Sequence, residues 1–310
     1  MTKKKGMTDD TLTLEALQVP ENKRNFMNDQ VFKFVFGKKQ RKAIAIDFIN
    51  AVLQNEFGSP VKDLEYEEQE LSAEKHGGKE SRLDVVCRLD NGALVDIEVQ
   101  LLDQKNIAQR VLYYWAGEYR NGIHQGGGYR DLRPTIIICI LGFPCFEGDE
   151  AFSSWGICNL KTFTRLTKDL SLHFLEIPKF SASLKPRDQW TKIERWMCYF
   201  SNRLSVSEKK DLLKGDAMIS QAIAATDKFF SDPVELRLYR EQERARMDAM
   251  ERDQCSKEEG RAEGIAEGSE RMRSDMVAKL LRQFSVDQVA SMLSLSPEYV
   301  SDVAQRHAHG

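Results

Sequence analysis

Residues 81–101 read SRLDVVCRLDNGALVDIEVQL. Two runs alternate apolar with polar side chains, and Asp90-Asn91-Gly92 lies between them, which predicts a β-hairpin. Leu83, Val85, Cys87 and Leu89 fall on one face of the first strand, and Arg82, Asp84, Val86 and Arg88 on the other. In the second strand Val95, Ile97, Val99 and Leu101 share a face opposite Asp96, Glu98 and Gln100. A two-residue Asn91-Gly92 turn would set Asp84 against Val99 and mix the faces. A three-residue loop with Gly92 left-handed pairs Leu89 with Ala93, Asp84 with Glu98 and Arg82 with Gln100. It also collects every apolar residue except Val86 on one face. A slip of one residue would undo that match, so burial selects the longer loop.

Two carboxylates and an amide then converge on one side of a sheet. Converging carboxylates repel unless a cation lies between them or one is protonated. Oxygen ligands with open positions suit Mg²⁺, or Mn²⁺, acting on phosphate esters. The order Asp84, hairpin, Glu98-x-Gln100 resembles the PD-(D/E)XK nuclease core, with Gln where Lys is usual. The run 29–37, DQVFKFVFG, resembles the D-x-x-F-K-x-x-F-G opening of the recombination-promoting nucleases, also described as a PD-(D/E)XK family of transposases. KESRLDVVCRLDNG, VDIEVQ and the later Tyr129-x-x-Leu132-x-Pro134 resemble that family too, over roughly residues 24–145. The resemblance implies a restriction-endonuclease-like α/β fold, a mixed sheet flanked by helices. It also implies a Mg²⁺-dependent DNA endonuclease with Asp84 and Glu98 as metal ligands and Gln100 beside them. Asp29, borne on the first helix, is a further acidic candidate; its other reading is a plain helix cap.

Around this core, Ile44, Phe48, Ala51 and Val52 form the stripe of a helix over about 40–54. Residues 64–71 read as a charged edge strand without a catalytic role, and 72–80 as a polar loop. Asp103 is expected to cap a helix to about Asn121, with Val111, Leu112, Trp115, Ala116 and Tyr119 as its buried side. On that helix Gln109 and Tyr113 stand four apart. Gln-x-x-x-Tyr resembles a motif beside the active site of RecB-like nucleases, and Arg110 could meet phosphate. Core packing is the alternative for Tyr113 and Tyr114. Residues 135–141, TIIICIL, predict a central strand buried on both faces. Residues 170–177 alternate as a further strand, and Pro186 and Asp188 open a helix with Trp190, Ile193, Met197 and Phe200 on one side.

The net charge of −3 leaves DNA contact to local patches. The six cysteines have no close spacing and read as reduced core residues of a cytoplasmic protein. No signal peptide or membrane-length apolar run stands out. Four segments are expected. Residues 1–24 form a disordered tail and 25–204 the nuclease-like domain. Residues 205–271 form a charged helical extension, and 272–310 a small helical tail. In the extension Gly260, Gly264 and Gly268 make one stripe, read either as a homo-oligomer seam or as a hinge, since each interior Gly costs a helix roughly 1 kcal/mol. In the tail Ser285 and Ser296-Pro297 start two helices, compatible with helix-turn-helix. The single Arg306 on the second of them favours a plain helical hairpin. Two functions compete: a metal-dependent DNA endonuclease, and a catalytically silent DNA-binding or assembly protein on the same scaffold.

Overall fold

The computed structural model describes residues 18–54, 56–67, 85–103, 105–123, 127–181 and 185–308. Asp84, with Arg82, Leu83 and the 72–80 loop, lies outside the described residues, as does the segment before Gln18. Two compact units divide at Arg244–Ala245.

The first unit is built on a six-stranded mixed sheet of order β1-β2-β3-β4-β6-β5. Its strands are β1 (Leu64–Tyr66), β2 (Val85–Leu89), β3 (Leu94–Gln100), β4 (Thr135–Leu141), β5 (Phe152–Trp155) and β6 (Leu170–Glu176). β2 and β3 form the expected hairpin, paired Val85 with Ile97 and Cys87 with Val95. Leu89 N–H donates to Ala93 O at 2.9 Å and Gly92 N–H to Leu89 O at 2.8 Å. Gly92 sits at φ +85°, a conformation that a Cβ makes costly. β3 runs parallel to β4, and β4 to β6. Every residue of β4 and β6 is buried, so β6 is an interior strand despite its alternating sequence.

One sheet face carries Val85, Cys87, Val95, Ile97, Val99, Ile136, Ile138, Ile140 and Leu175. Against it pack α1 (Asp29–Phe36) and α2 (Lys42–Leu53), capped or preceded by Asn28 and a short 3-10 turn at Lys39–Arg41. The other face is covered by α3 (Ile107–Asn121), which buries Val111 over Ile137, Cys139 and Leu172. α3 differs from expectation. Asn106, not Asp103, occupies its N-cap position, and Leu112 and Ala116 are exposed. The inner side keeps the expected Val111, Trp115 and Tyr119 and adds Tyr114: Trp115 Nε1 donates to Thr135 O at 3.0 Å and Tyr119 Oη to Asp169 Oδ2 at 2.9 Å.

The core reaches past residue 204. α4 (Lys192–Phe200), α5 (Val206–Leu212), α6 (Ala217–Ser231) and the start of α7 (Pro233–Leu280) contribute Trp196, Phe200, Val206, Ile219, Phe229 and Tyr239 to the same cluster as α1. The composition shift near 205 is therefore no domain boundary. α4 itself starts later than read, at Thr191 with a capping box, after a 3-10 turn at Arg187–Gln189. The tail reading also ends early: Val19 is buried and Arg24 pairs with Asp227 at 3.3 Å. Of the cysteines, Cys158 and Cys255 are exposed rather than in the core.

The second unit holds the rest of α7, unbroken to Leu280, with α8 (Val286–Leu293) and α9 (Pro297–Ala308). Val277, Val289, Val300 and Val303 form its core, and both start signals at Ser285 and Ser296 are used. A Cβ on Gly260, Gly264 or Gly268 would meet nothing within 4 Å. Among the described residues no helix is long and apolar enough to cross a membrane.

Lys209 is a buried exception in the first core. Its Nζ lies 3.7 Å from the centroid of the Phe26 ring, and burial pushes its pKa down to about 7, with Cys198 opposing. Below pH 7 the folded chain bears the full cost of a buried charge. That cost is relieved as pH rises from 7 toward the unfolded value of about 10.4. Lys209→Met is expected to raise the melting temperature most below pH 7, with the gain shrinking toward pH 10. Thermal melts across that range check this; parallel profiles for the two proteins would contradict it.

Candidate nuclease site

The site begins with the hairpin's polar face. Val86 pairs with Asp96, so Val86, Asp96, Glu98 and Gln100 share the side on which α3 lies, where Val86 and Leu94 pack against Tyr114. Glu98 is 2% exposed and Asp96 fully buried. Successive residues on one strand face are roughly 6.6 Å apart, so the two carboxylates repel in a poorly solvated place. Gln100 Nε2 donates to Glu98 Oε2 at 3.0 Å and fixes that carboxylate's orientation. Across the parallel ladder Glu98 abuts Cys139 and Gln100 abuts Leu141, apolar neighbours that keep the row dry. On the opposite face, burial, and behind it the Asp96 carboxylate, pushes the Cys87 thiol up to about 12.

The observed register is the one that the Asp84–Glu98 pairing requires, as far as Val85 with Ile97. Asp84 itself is outside the described residues.

A cleft of about 340 Å³ opens where β2 begins. Gln30, Lys33 and Phe34 of α1 line one side, and Val85 and Val86 of β2 the other, with Tyr66, Glu67 and Glu235 completing it. Lys33 stands one helical turn after Asp29 and is the Lys of the D-x-x-F-K-x-x-F-G run. Burial pushes the Asp29 carboxyl above its usual range, while Lys33 and a 2.6 Å hydrogen bond from Gln242 Nε2 oppose the shift. Asp29 is thus engaged by Gln242; the apolar side of its helix packs on the sheet face opposite Glu98, while Lys33 lines the cleft that reaches both Val85 and Val86 at the start of β2. Asn28 is the cap, its side chain accepting from Gln30 N–H at 3.0 Å.

The expected helix pair is not brought to the row either. Tyr113 is 69% exposed and Gln109 is exposed, both on the side of α3 turned from the sheet. Arg110 engages the next tyrosine: its Nε donates to Tyr114 Oη at 2.8 Å and its guanidinium lies over that ring. Tyr114 touches the Val86–Leu94 pair, so the α3 residues nearest the hairpin are Arg110 and Tyr114. Glu118 lies further along, its carboxyl raised by burial and then by Glu67, with Arg88 opposing; Arg88 pairs with Glu67 at 2.8 Å.

Asp96 and Lys33 were missed in the sequence. Asp96 had a signal, being two residues before Glu98 on the same face. Lys33 had one too, as the Lys of the D-x-x-F-K-x-x-F-G run, although no role was assigned to it there. Among the described residues no three His, Cys, Asp or Glu side chains converge to hold a metal ion.

No curated protein and no solved structure matches the chain. The family model described as "PD-(D/E)XK nuclease family transposase" matches residues 26–253. PD-(D/E)XK nucleases generally use divalent metals, and DNA is the partner that the family implies. The mixed sheet, the β2–β3 hairpin with its buried Glu98 and the α1 opening all lie inside the matched span, and the chain belongs to the PD-(D/E)XK nuclease family of transposases.

Proposed function

We propose that this protein is a divalent-metal-dependent DNA endonuclease that hydrolyses phosphodiester bonds at the β2–β3 hairpin. The observation that carries the reading is the buried acidic row on β3. Glu98 is held by Gln100 at 3.0 Å, two residues from buried Asp96, in a register that leads toward Asp84. Burying carboxylates together is costly unless something compensates their charge. The all-oxygen donor set of Asp84, Glu98 and the Gln100 amide fits a hard cation such as Mg²⁺. When bound there, such an ion supplies an activated water and charge neutralisation at the scissile phosphate.

The chain's own groups have separate tasks. Gln100 positions the Glu98 carboxylate and lacks the positive charge of the usual Lys. In our reading Lys33 provides it, because it lines the cleft at the start of β2 where a phosphate would enter. A Lys ammonium there stabilises negative charge that grows on the phosphate oxygens. Arg110 and Tyr114 stand on the α3 side as candidates for backbone contact.

A plasmid-nicking assay with Mg²⁺ against EDTA tests the activity itself. Metal-dependent cutting supports the proposal, and its absence in a folded, DNA-binding protein would favour a silent scaffold. Lys33→Met is expected to slow single-turnover cleavage roughly 10²-fold at saturating DNA, the scale of losing one electrostatic donor. Lys33→Arg should recover most of the rate. Equal rates for wild type and Lys33→Met would remove Lys33 from the mechanism.

A further inference from the structure

Beyond β5 the chain forms a second, smaller hairpin that the catalytic reading leaves unused. Cys158 bridges Arg165, Leu166 N–H donates to Ile157 O at 2.9 Å, and Asn159 N–H donates to Thr164 O at 2.9 Å. The tip is tightly made: Phe163 N–H donates to Asn159 O at 2.8 Å, and Asn159 Oδ1 accepts from Lys161 N–H at 2.9 Å and Thr162 N–H at 3.2 Å. The root is clamped by Arg165, which pairs with Glu56 at 2.7 Å and donates to Thr167 O and Leu170 O.

This ordered tip presents apolar side chains to solvent. Leu160 is 87% exposed and Phe163 80% exposed, with Ile157 and Leu166 exposed behind them. Phe163 holds φ +56°, a region that bulky residues rarely enter, and its ring is turned to solvent. The tip, residues 157–164, carries Lys161 and no acidic residue, while Arg165 at the root is neutralised by Glu56. Lys161 has no ion-pair partner among the described residues. An apolar knuckle with Lys161 at its tip is suited to a polyanion with stacked apolar layers. It is poorly suited to self-pairing, which would set like charges together. Trp155, at the root, lies on the Glu98 face, since it pairs with Leu172, then Ile137, then Asp96. Three strand steps of roughly 4.8 Å separate β3 from β5, an offset of about 14 Å that a few base pairs span.

We propose that the 157–166 hairpin is a DNA wedge, inserting Leu160 and Phe163 at a base step while Lys161 meets the backbone. Side chains of this kind unstack base steps and kink the duplex. The inference rests on the DNA reading above, and the test separates the two.

The experiment uses the full chain in EDTA with a duplex carrying a fluorescent purine analogue, read by anisotropy and by the analogue's brightening on unstacking. Wild type is expected to bind and brighten the probe. Leu160→Ser/Phe163→Ser, whose sites lie outside the core, is expected to bind about tenfold more weakly without brightening. A circular-dichroism melt confirms its fold, and Lys161→Ala should lower the salt dependence of binding. Unchanged affinity and brightening in the double variant would overturn the wedge while leaving the DNA reading intact. No DNA binding by wild type would overturn both. Loss of self-association or of vesicle binding in the double variant, with DNA binding unchanged, would overturn the wedge in favour of a protein or lipid surface.

Discussion

Glu98→Ala is expected to lower single-turnover DNA cleavage by roughly 10²–10³-fold or more, about 2.7–4 kcal/mol in the barrier, and Asp84→Ala by a similar amount. Glu98 is buried against apolar β4 and held by Gln100, so its carboxylate serves no solubility role. Removing it should leave the fold intact or firmer, because it relieves repulsion with Asp96 two residues away. The melting temperature provides a reading independent of rate. A ligand that binds only the folded state stabilises it by mass action. Mg²⁺ is therefore expected to raise the wild-type melting temperature and to lose that effect in Asp84→Ala and Glu98→Ala. Gln100→Ala should be milder on both counts, since the amide orients a ligand and bears no net charge. Full cleavage by well-folded Glu98→Ala would mean that the chemistry lies elsewhere.

The hairpin was legible because its evidence is redundant. Alternation with period two fixes the faces, and Gly92 supplies the left-handed residue that the longer loop needs. The fully apolar run of β4 announced its place as directly. α3 was read less well because its exposed side also carries Leu112, Tyr113 and Ala116. With apolar residues around most of the circumference, periodicity does not select the stripe. Val111, Trp115 and Tyr119 face inward as read, and Tyr114 joins them with its hydroxyl held by Arg110, a partner invisible in a linear pattern. The Gln109–Tyr113 pair has the right spacing on the wrong side of that helix.

The boundary at 204 failed for a related reason. Charge density rises after that point, yet α5 and α6 still face the core with Val206, Ile219 and Phe229. Composition averages over a helix, whereas burial depends on one stripe of it. Lys33 shows the limit for the site. The D-x-x-F-K-x-x-F-G run includes it, yet a lysine among phenylalanines also reads as the solvent side of an amphipathic helix, and the cleft beside Val85 is what points to another role.

Trp196→Ala is expected to cost about 3–5 kcal/mol of stability and to lower the melting temperature on the order of 10 °C. Trp196 on α4 is fully buried, with ring centroids 5.5 Å from Phe36, 5.6 Å from Phe48 and 5.5 Å from Tyr199. It thereby ties the end of α1 to α2 and α4. Its Nε1 also donates to Asp47 Oδ2 at 3.0 Å, although Asp47 keeps Lys192 at 2.9 Å. The loss is chiefly a cavity among rings that cannot close over it. Trp196→Phe should recover more than half of the cost. Because α1 also carries Lys33, Trp196→Ala should lose cleavage on warming in step with its fold, whereas Glu98→Ala loses it with the fold intact. Matched melts and rates at one low temperature separate the two cases. A Trp196→Ala protein that melts with wild type would show that the aromatic cluster does not hold α1 in place.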